Sequence, residues 1–99
     1  MVRVRLEILP GLSDAFDDGL GPVAFNKEIE EGATVGSVIR KLADEYQAFG
    51  DIIFDTETEK LSGYATIVLN DRLLEALNGL DTSIKDGDII KFFPVIAGG

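Results

Sequence analysis

The chain contains no cysteine, no histidine and no tryptophan. The lack of cysteine excludes a disulfide framework and an iron–sulfur cluster, and the lack of both cysteine and histidine excludes a zinc finger. Ser–His and Cys–His nucleophilic catalysis are excluded as well, and so is the side chain that most often serves as a base near neutral pH. Any chemistry here rests on an unusual group or on a partner. Cations are scarce too. Nine Lys and Arg stand against eighteen Asp and Glu, a net charge of -9, with a pI near 4.2. A nucleic-acid partner requires cations at its phosphates, and an anionic membrane surface repels such a chain. Long apolar runs are also missing. In Met1-Val2-Arg3-Val4-Arg5-Leu6-Glu7-Ile8 charge interrupts the apolar residues. A signal peptide needs about 7–15 apolar residues in succession and a spanning helix about 20. The expected location is the cytoplasm, with no membrane and no nucleic acid among the partners.

What is present is a chain of one-domain size: 99 residues, 45% hydrophobic, with a mean hydropathy of +0.16. That is too apolar for a disordered segment. Val2, Val4, Leu6 and Ile8 alternate with Arg3, Arg5 and Glu7, the period of a strand with one wet face, and Pro10-Gly11 ends it. Residues 11–22 read as a Gly- and Asp-rich loop, within which Leu12, Phe16 and Leu20 recur about once per helical turn. Val23, Phe25 and Ile29 share a parity, interrupted at Lys27, and predict a second strand antiparallel to the first. Thr34 has the hydroxyl of an N-cap. After it Val35, Val38, Ile39, Leu42 and Tyr46 recur at helical spacing, predicting a helix over about 35–47 with Gly50 as its stop.

Residues 48–63 read as an extended loop whose apolar start, Ile52-Ile53-Phe54, packs on the helix end. Ala65–Leu69 is a strand, Asn70-Asp71 a two-residue turn tolerant of positive φ, and Arg72-Leu73-Leu74 a short returning strand. Asn78-Gly79 is a further turn, with Leu80 and Ile84 as core plugs after it. Lys85-Asp86-Gly87-Asp88 is a tight turn, and Ile89–Phe93 is the last strand, stopped by Pro94. One main helix among these strands predicts an α+β domain over residues 1–94, a mixed sheet of four to five strands with the helix on one face. Val35, Val38, Ile39 and Leu42 would bury against Val4, Leu6, Ile67, Leu69, Ile90 and Phe92. Residues 95–99 form a flexible tail in this reading.

The acidic pairs Asp17-Asp18 and Asp86/Asp88 lack the spacing of a calcium loop and read as solvated turns. Gly19-Leu20-Gly21 lacks the third glycine of a dinucleotide fingerprint. The last strand is more informative. With Ile90 and Phe92 facing the helix, Ile89, Lys91 and Phe93 face away. Ile89 and Phe93 are then either an exposed contact patch or covered by the 48–63 or 11–22 loop. Past Pro94 the tail Val95-Ile96-Ala97-Gly98-Gly99 carries no charged side chain. It reaches about 16 Å when extended, and its glycines pass where a side chain cannot.

These residues resemble a known family. Leu69-Asn70-Asp71-Arg72, Leu80-Asp81-Thr82, Lys85-Asp86-Gly87-Asp88 and Phe92-Phe93-Pro94-Val95-Ile96-Ala97-Gly98-Gly99 are similar to the ubiquitin-like sulfur carriers. The Glu31-Gly32-Ala33-Thr34-Val35 entry to the helix shares that similarity. The molybdopterin synthase small subunits of MoaD type and the small archaeal ubiquitin-like modifiers are nearest, the ThiS type more distant. The resemblance implies a β-grasp fold and a protein that is not itself an enzyme. It implies that a ubiquitin-activating-type partner uses ATP and magnesium to adenylate Gly99, with no cofactor or metal bound by this chain. Gly99 would be the reacting residue and Gly98 the clearance residue. Ile89, Phe93, Pro94, Val95, Ile96 and Ala97 would meet the partner.

Two outcomes share that first step. In one, Gly99 becomes a thiocarboxylate that donates sulfur to a molybdopterin synthase large subunit or another acceptor, in molybdenum or tungsten cofactor assembly. In the other, Gly99 joins lysines of target proteins by an isopeptide bond, with Lys27, Lys41, Lys60, Lys85 and Lys91 of this chain as further acceptors. A third reading is a β-grasp interaction module never activated at its end. The acidic net charge suits steering toward basic partners in each.

Overall fold

The computed structural model describes residues 1–10, 12, 22–55 and 61–95. Strands β1 (Val2–Ile8), β2 (Val23–Ile29), β3 (Ala65–Leu69), β4 (Arg72–Leu73) and β5 (Ile89–Pro94) form one sheet in the order β2-β1-β5-β3-β4. The central pair, β1 and β5, is parallel, and the other pairings are antiparallel. This is the α+β, β-grasp arrangement: a mixed five-stranded sheet with its helical layer on one face.

Helix α1 (Val35–Glu45) begins where the sequence predicts. The Ser37 amide donates to Thr34 Oγ1 at 3.2 Å, and the Thr34 amide donates to Ser37 Oγ at 2.9 Å, so two orphan donors are satisfied reciprocally. Val35, Val38, Ile39 and Leu42 are buried, and with them Val4, Leu6, Ile67, Leu69, Ile90 and Phe92 make one cluster. Lys27 breaks the β2 pattern because it lies opposite Val4 on the helix side, where its ammonium pairs with Glu45 at the end of α1. The Asn70-Asp71 turn has φ of 49° and 68° at its two residues. Ile84 is a core residue, and Leu80 packs on the core half-buried.

Three expectations change. Residues 48–63 do not begin as an extended loop: a second helix, α2 (Gln47–Ile53), follows α1 after the extended residue Tyr46. Gly50 is not a helix stop but lies inside α2. A Cβ there would fall 3.0 Å from the Ala43 Cβ and 3.3 Å from its carbonyl oxygen. Glycine is kept in this helix by close approach to α1, against its low helical propensity. The last strand also runs one residue further than predicted, since Pro94 still stands opposite Ala65. Proline is tolerated there because β1 pairs with β5 only as far as Phe92 and the bond on the β3 side comes from the Val95 amide, so no ladder bond needs an N–H at residue 94. The 11–22 segment lies outside the described residues apart from Leu12, which is buried, and Pro22.

Candidate functional site

The last strand carries the chain to the site. Its alternation puts Ile90 and Phe92 in the core and turns Ile89, Lys91 and Phe93 to the opposite face. There Ile89 lies beside Arg5, Lys91 between Glu7 and Val68, and Phe93 beside Thr66. Ile89 and Phe93 are half-buried. Residues 47–53 do not cover them, because α2 sits on the other face: Phe49 and Ile53 are buried in the core with Phe92. Among the described residues the outer face is a mixed surface in which apolar side chains alternate with Arg5, Glu7 and Lys91.

Strand β5 ends at Pro94. Pro94 is half-buried and Val95 exposed. The Val95 amide donates to the Tyr64 carbonyl at 3.0 Å. Ile96, Ala97, Gly98 and Gly99 lie outside the described residues, so the structure brings together Ile89, Phe93, Pro94 and Val95 and no more of the expected site. Reading the sequence missed Tyr64. Its role is carried by a backbone carbonyl, which every residue type supplies, so no sequence signal marks it.

Val95 also lines a groove of about 330 Å³ with Leu61, Ala65, Ile67, Leu73 and Leu74. Strand β4 pairs only with Val68 and Leu69, so beside this groove the Ala65–Ile67 stretch of β3 has no strand on that side among the described residues. Tyr64 (67% exposed), Val95 (47%) and Leu73 (45%) are three of the five exposed large apolar residues among those described. Leu73 and Val95 line the groove together, which makes it a candidate interaction surface.

The other candidates resolve into structure. Asp86 Oδ1 accepts from the Arg3 amide at 2.7 Å, while Asp88 accepts from Asn70 Nδ2 at 2.8 Å and from the Lys85 amide at 2.7 Å. These carboxylates hold their own turn to its neighbours. No group of three or more acidic residues among the described residues could hold a metal ion. Of the lysines, Lys41 and Lys85 are exposed. Lys27 has only 16% of its side chain exposed and is paired with Glu45, and Lys91 lies 4.0 Å from Asp71. Lys60 falls outside the described residues. No helix among the described residues is long and apolar enough to cross a membrane.

Comparison with known proteins matches this geometry. The profile of the ThiS family matches residues 20–99. Small archaeal modifier protein 3 of Haloferax volcanii is 33% identical over 85% of this chain and 89% of its own length. The sulfur carrier protein CysO of Mycobacterium tuberculosis is 35% identical over 69% of this chain and 74% of its own. A chain of the Amycolatopsis orientalis BexX/CysO complex superposes with a TM-score of 0.72 at 26% identity, covering 97% of this chain and 99% of that one. The chain belongs to the ThiS family, the ubiquitin-like sulfur carriers and modifiers.

Proposed function

We propose that this protein is a carrier whose Gly99 carboxylate is activated by a partner enzyme and then transfers sulfur, joins to lysines, or both. The observation that carries the reading is that the ThiS-family match runs through residue 99 and so takes in Gly98 and Gly99, on a fold whose last strand ends at Pro94 with Val95 exposed beside an apolar groove. A carboxylate is a poor electrophile, which sets the order of events. A Gly99 carboxylate oxygen attacks the α-phosphorus of ATP, pyrophosphate leaves, and the acyl-adenylate forms. Hydrosulfide then attacks the carbonyl carbon, AMP leaves with the C–O electron pair, a proton is released, and Gly99 ends as a thiocarboxylate. A lysine amine attacking the same carbon gives an isopeptide bond, with AMP again the leaving group. ATP and magnesium belong to the activating partner, and this requirement for ATP puts the pair in the cytoplasm.

This chain's residues do two things. Gly98 leaves clearance for a narrow channel, while Ile89, Phe93, Pro94 and Val95, followed by Ile96 and Ala97, form the docking surface and stem. The CysO relative of Amycolatopsis was solved in a complex with BexX, which supports a carrier that works docked to a larger protein. A molybdopterin synthase large subunit is one acceptor of that kind. Lys41 and Lys85 are the acceptors on this chain most open to self-conjugation.

Intact-mass measurement on protein recovered from its own cells tests the reading. The expected result is the mass increment of one oxygen exchanged for sulfur, located at Gly99, or Gly-Gly remnants on lysines in peptide maps. If neither appears, and ATP with the cells' adenylating enzymes leaves Gly99 unchanged, the chain is an interaction module and the carrier reading fails.

A further inference from the structure

The tail root is tied to the core through a short relay. Pro94 has no N–H to give, so the Val95 amide is the first backbone donor after Phe93, and its acceptor is the Tyr64 carbonyl, 3.0 Å away. Tyr64 is itself held. Its amide donates to Ser62 Oγ at 3.3 Å, and that hydroxyl donates to the Ile52 carbonyl at 2.5 Å. The Ser62 amide donates to the Ile53 carbonyl at 2.9 Å. Between them Gly63 has φ of +89°, a left-handed conformation that folds Ser62 and Tyr64 onto one hydroxyl. Ser62 therefore does two jobs at once. It satisfies carbonyls at the C-terminal end of α2 that would otherwise lack partners, and it fixes the carbonyl on which the tail root hangs. Helix α2 is in turn anchored by the buried Phe49.

We propose that Ser62 is a positioning residue for the C-terminal tail: through Tyr64 it holds Val95, so that the root of the tail is already in place when a partner takes up the end of the chain. This rests on the carrier reading. Residues 96–99 span about 14 Å when extended. Ordering one more backbone residue lowers an equilibrium constant by about 5–30-fold, so releasing Val95 weakens tail capture without altering the reacting carboxylate. A role in the capture step, rather than in the chemistry, separates this from a general structural contribution.

The test uses the full chain, the adenylating enzyme purified from the same cells, ATP and labelled pyrophosphate. Ser62→Ala should raise KM for the carrier about 5–30-fold with kcat unchanged, and Ser62→Thr, which keeps the hydroxyl, should restore the wild-type KM. Amide hydrogen exchange read by NMR should show Val95 losing about tenfold in protection while the Phe92 amide stays protected. Val95→Pro removes the donor itself and should reproduce the KM effect in a chain whose Ser62 is untouched. An unchanged KM, a fall in kcat alone, or equal loss of protection at Phe92 overturns the proposal. If the wild-type chain supports no pyrophosphate exchange, the carrier reading fails first and the proposal with it.

Discussion

The Phe49 ring meets the Phe92 ring edge to face, with centroids 5.4 Å apart and planes at 88°. The contact joins α2 to the strand that delivers the tail, and both rings are fully buried. Edge-to-face geometry sets the positive rim of one ring on the negative face of the other. Phe49→Ala is expected to cost about 3–5 kcal/mol. The measurement is chemical denaturation, and a cost under about 1 kcal/mol would mean that α2 is not a fixed part of the core.

Asn70 ties the β3–β4 turn to the start of β5. At φ of 49° it donates to Asp88 Oδ1 at 2.8 Å and accepts from the Ile89 amide at 2.9 Å. Asn70→Ala loses both bonds and strains the backbone, for an expected loss of about 1–3 kcal/mol. Asn70→Gly keeps the backbone at ease and should lose less. The ranking of the two variants by thermal denaturation checks this; an alanine variant as stable as the glycine one contradicts it.

Phe93 lies on the outer face, away from the helices. Phe93→Ala should lower stability by only about 1 kcal/mol and raise the Kd for the activating partner about tenfold or more. Calorimetric binding beside a melting curve separates the two effects. A collapse in Tm with unchanged binding would assign the ring a core role instead.

Deleting Gly98 and Gly99 should abolish transfer and leave Tm unchanged. Strand β5 ends at Pro94, and among the described residues the core cluster draws on none after Phe92. Pyrophosphate exchange and thermal melts on the truncated chain check this together. Full activity without the two glycines would sink the assignment of Gly99 as the reacting group.

Much of the fold was legible because its signals are local. The alternation in Val2–Ile8, the Thr34 cap, the Asn70-Asp71 turn and the outward parity of Ile89 and Phe93 are properties of neighbouring residues, and each stands as read. Helix α2 was not legible, since its seven residues hold a glycine at mid-helix and only Phe49 and Ile53 as buried anchors. What makes Gly50 acceptable is the approach of Ala43 from α1, a contact between elements that no residue window contains.

The candidate site divides the same way. The lack of cysteine and histidine, which excludes Ser–His and Cys–His chemistry, and the Gly98-Gly99 pair are read directly from the sequence. Those are facts of composition and order, which folding cannot change. Only the tertiary structure decided where β5 ends, which of its faces the helices cover, and that Ser62 and Tyr64 hold the root of the tail. These depend on backbone carbonyls brought together from α2, the segment before β3 and the end of β5. Every residue carries such a group, so only its position in space gives it a role.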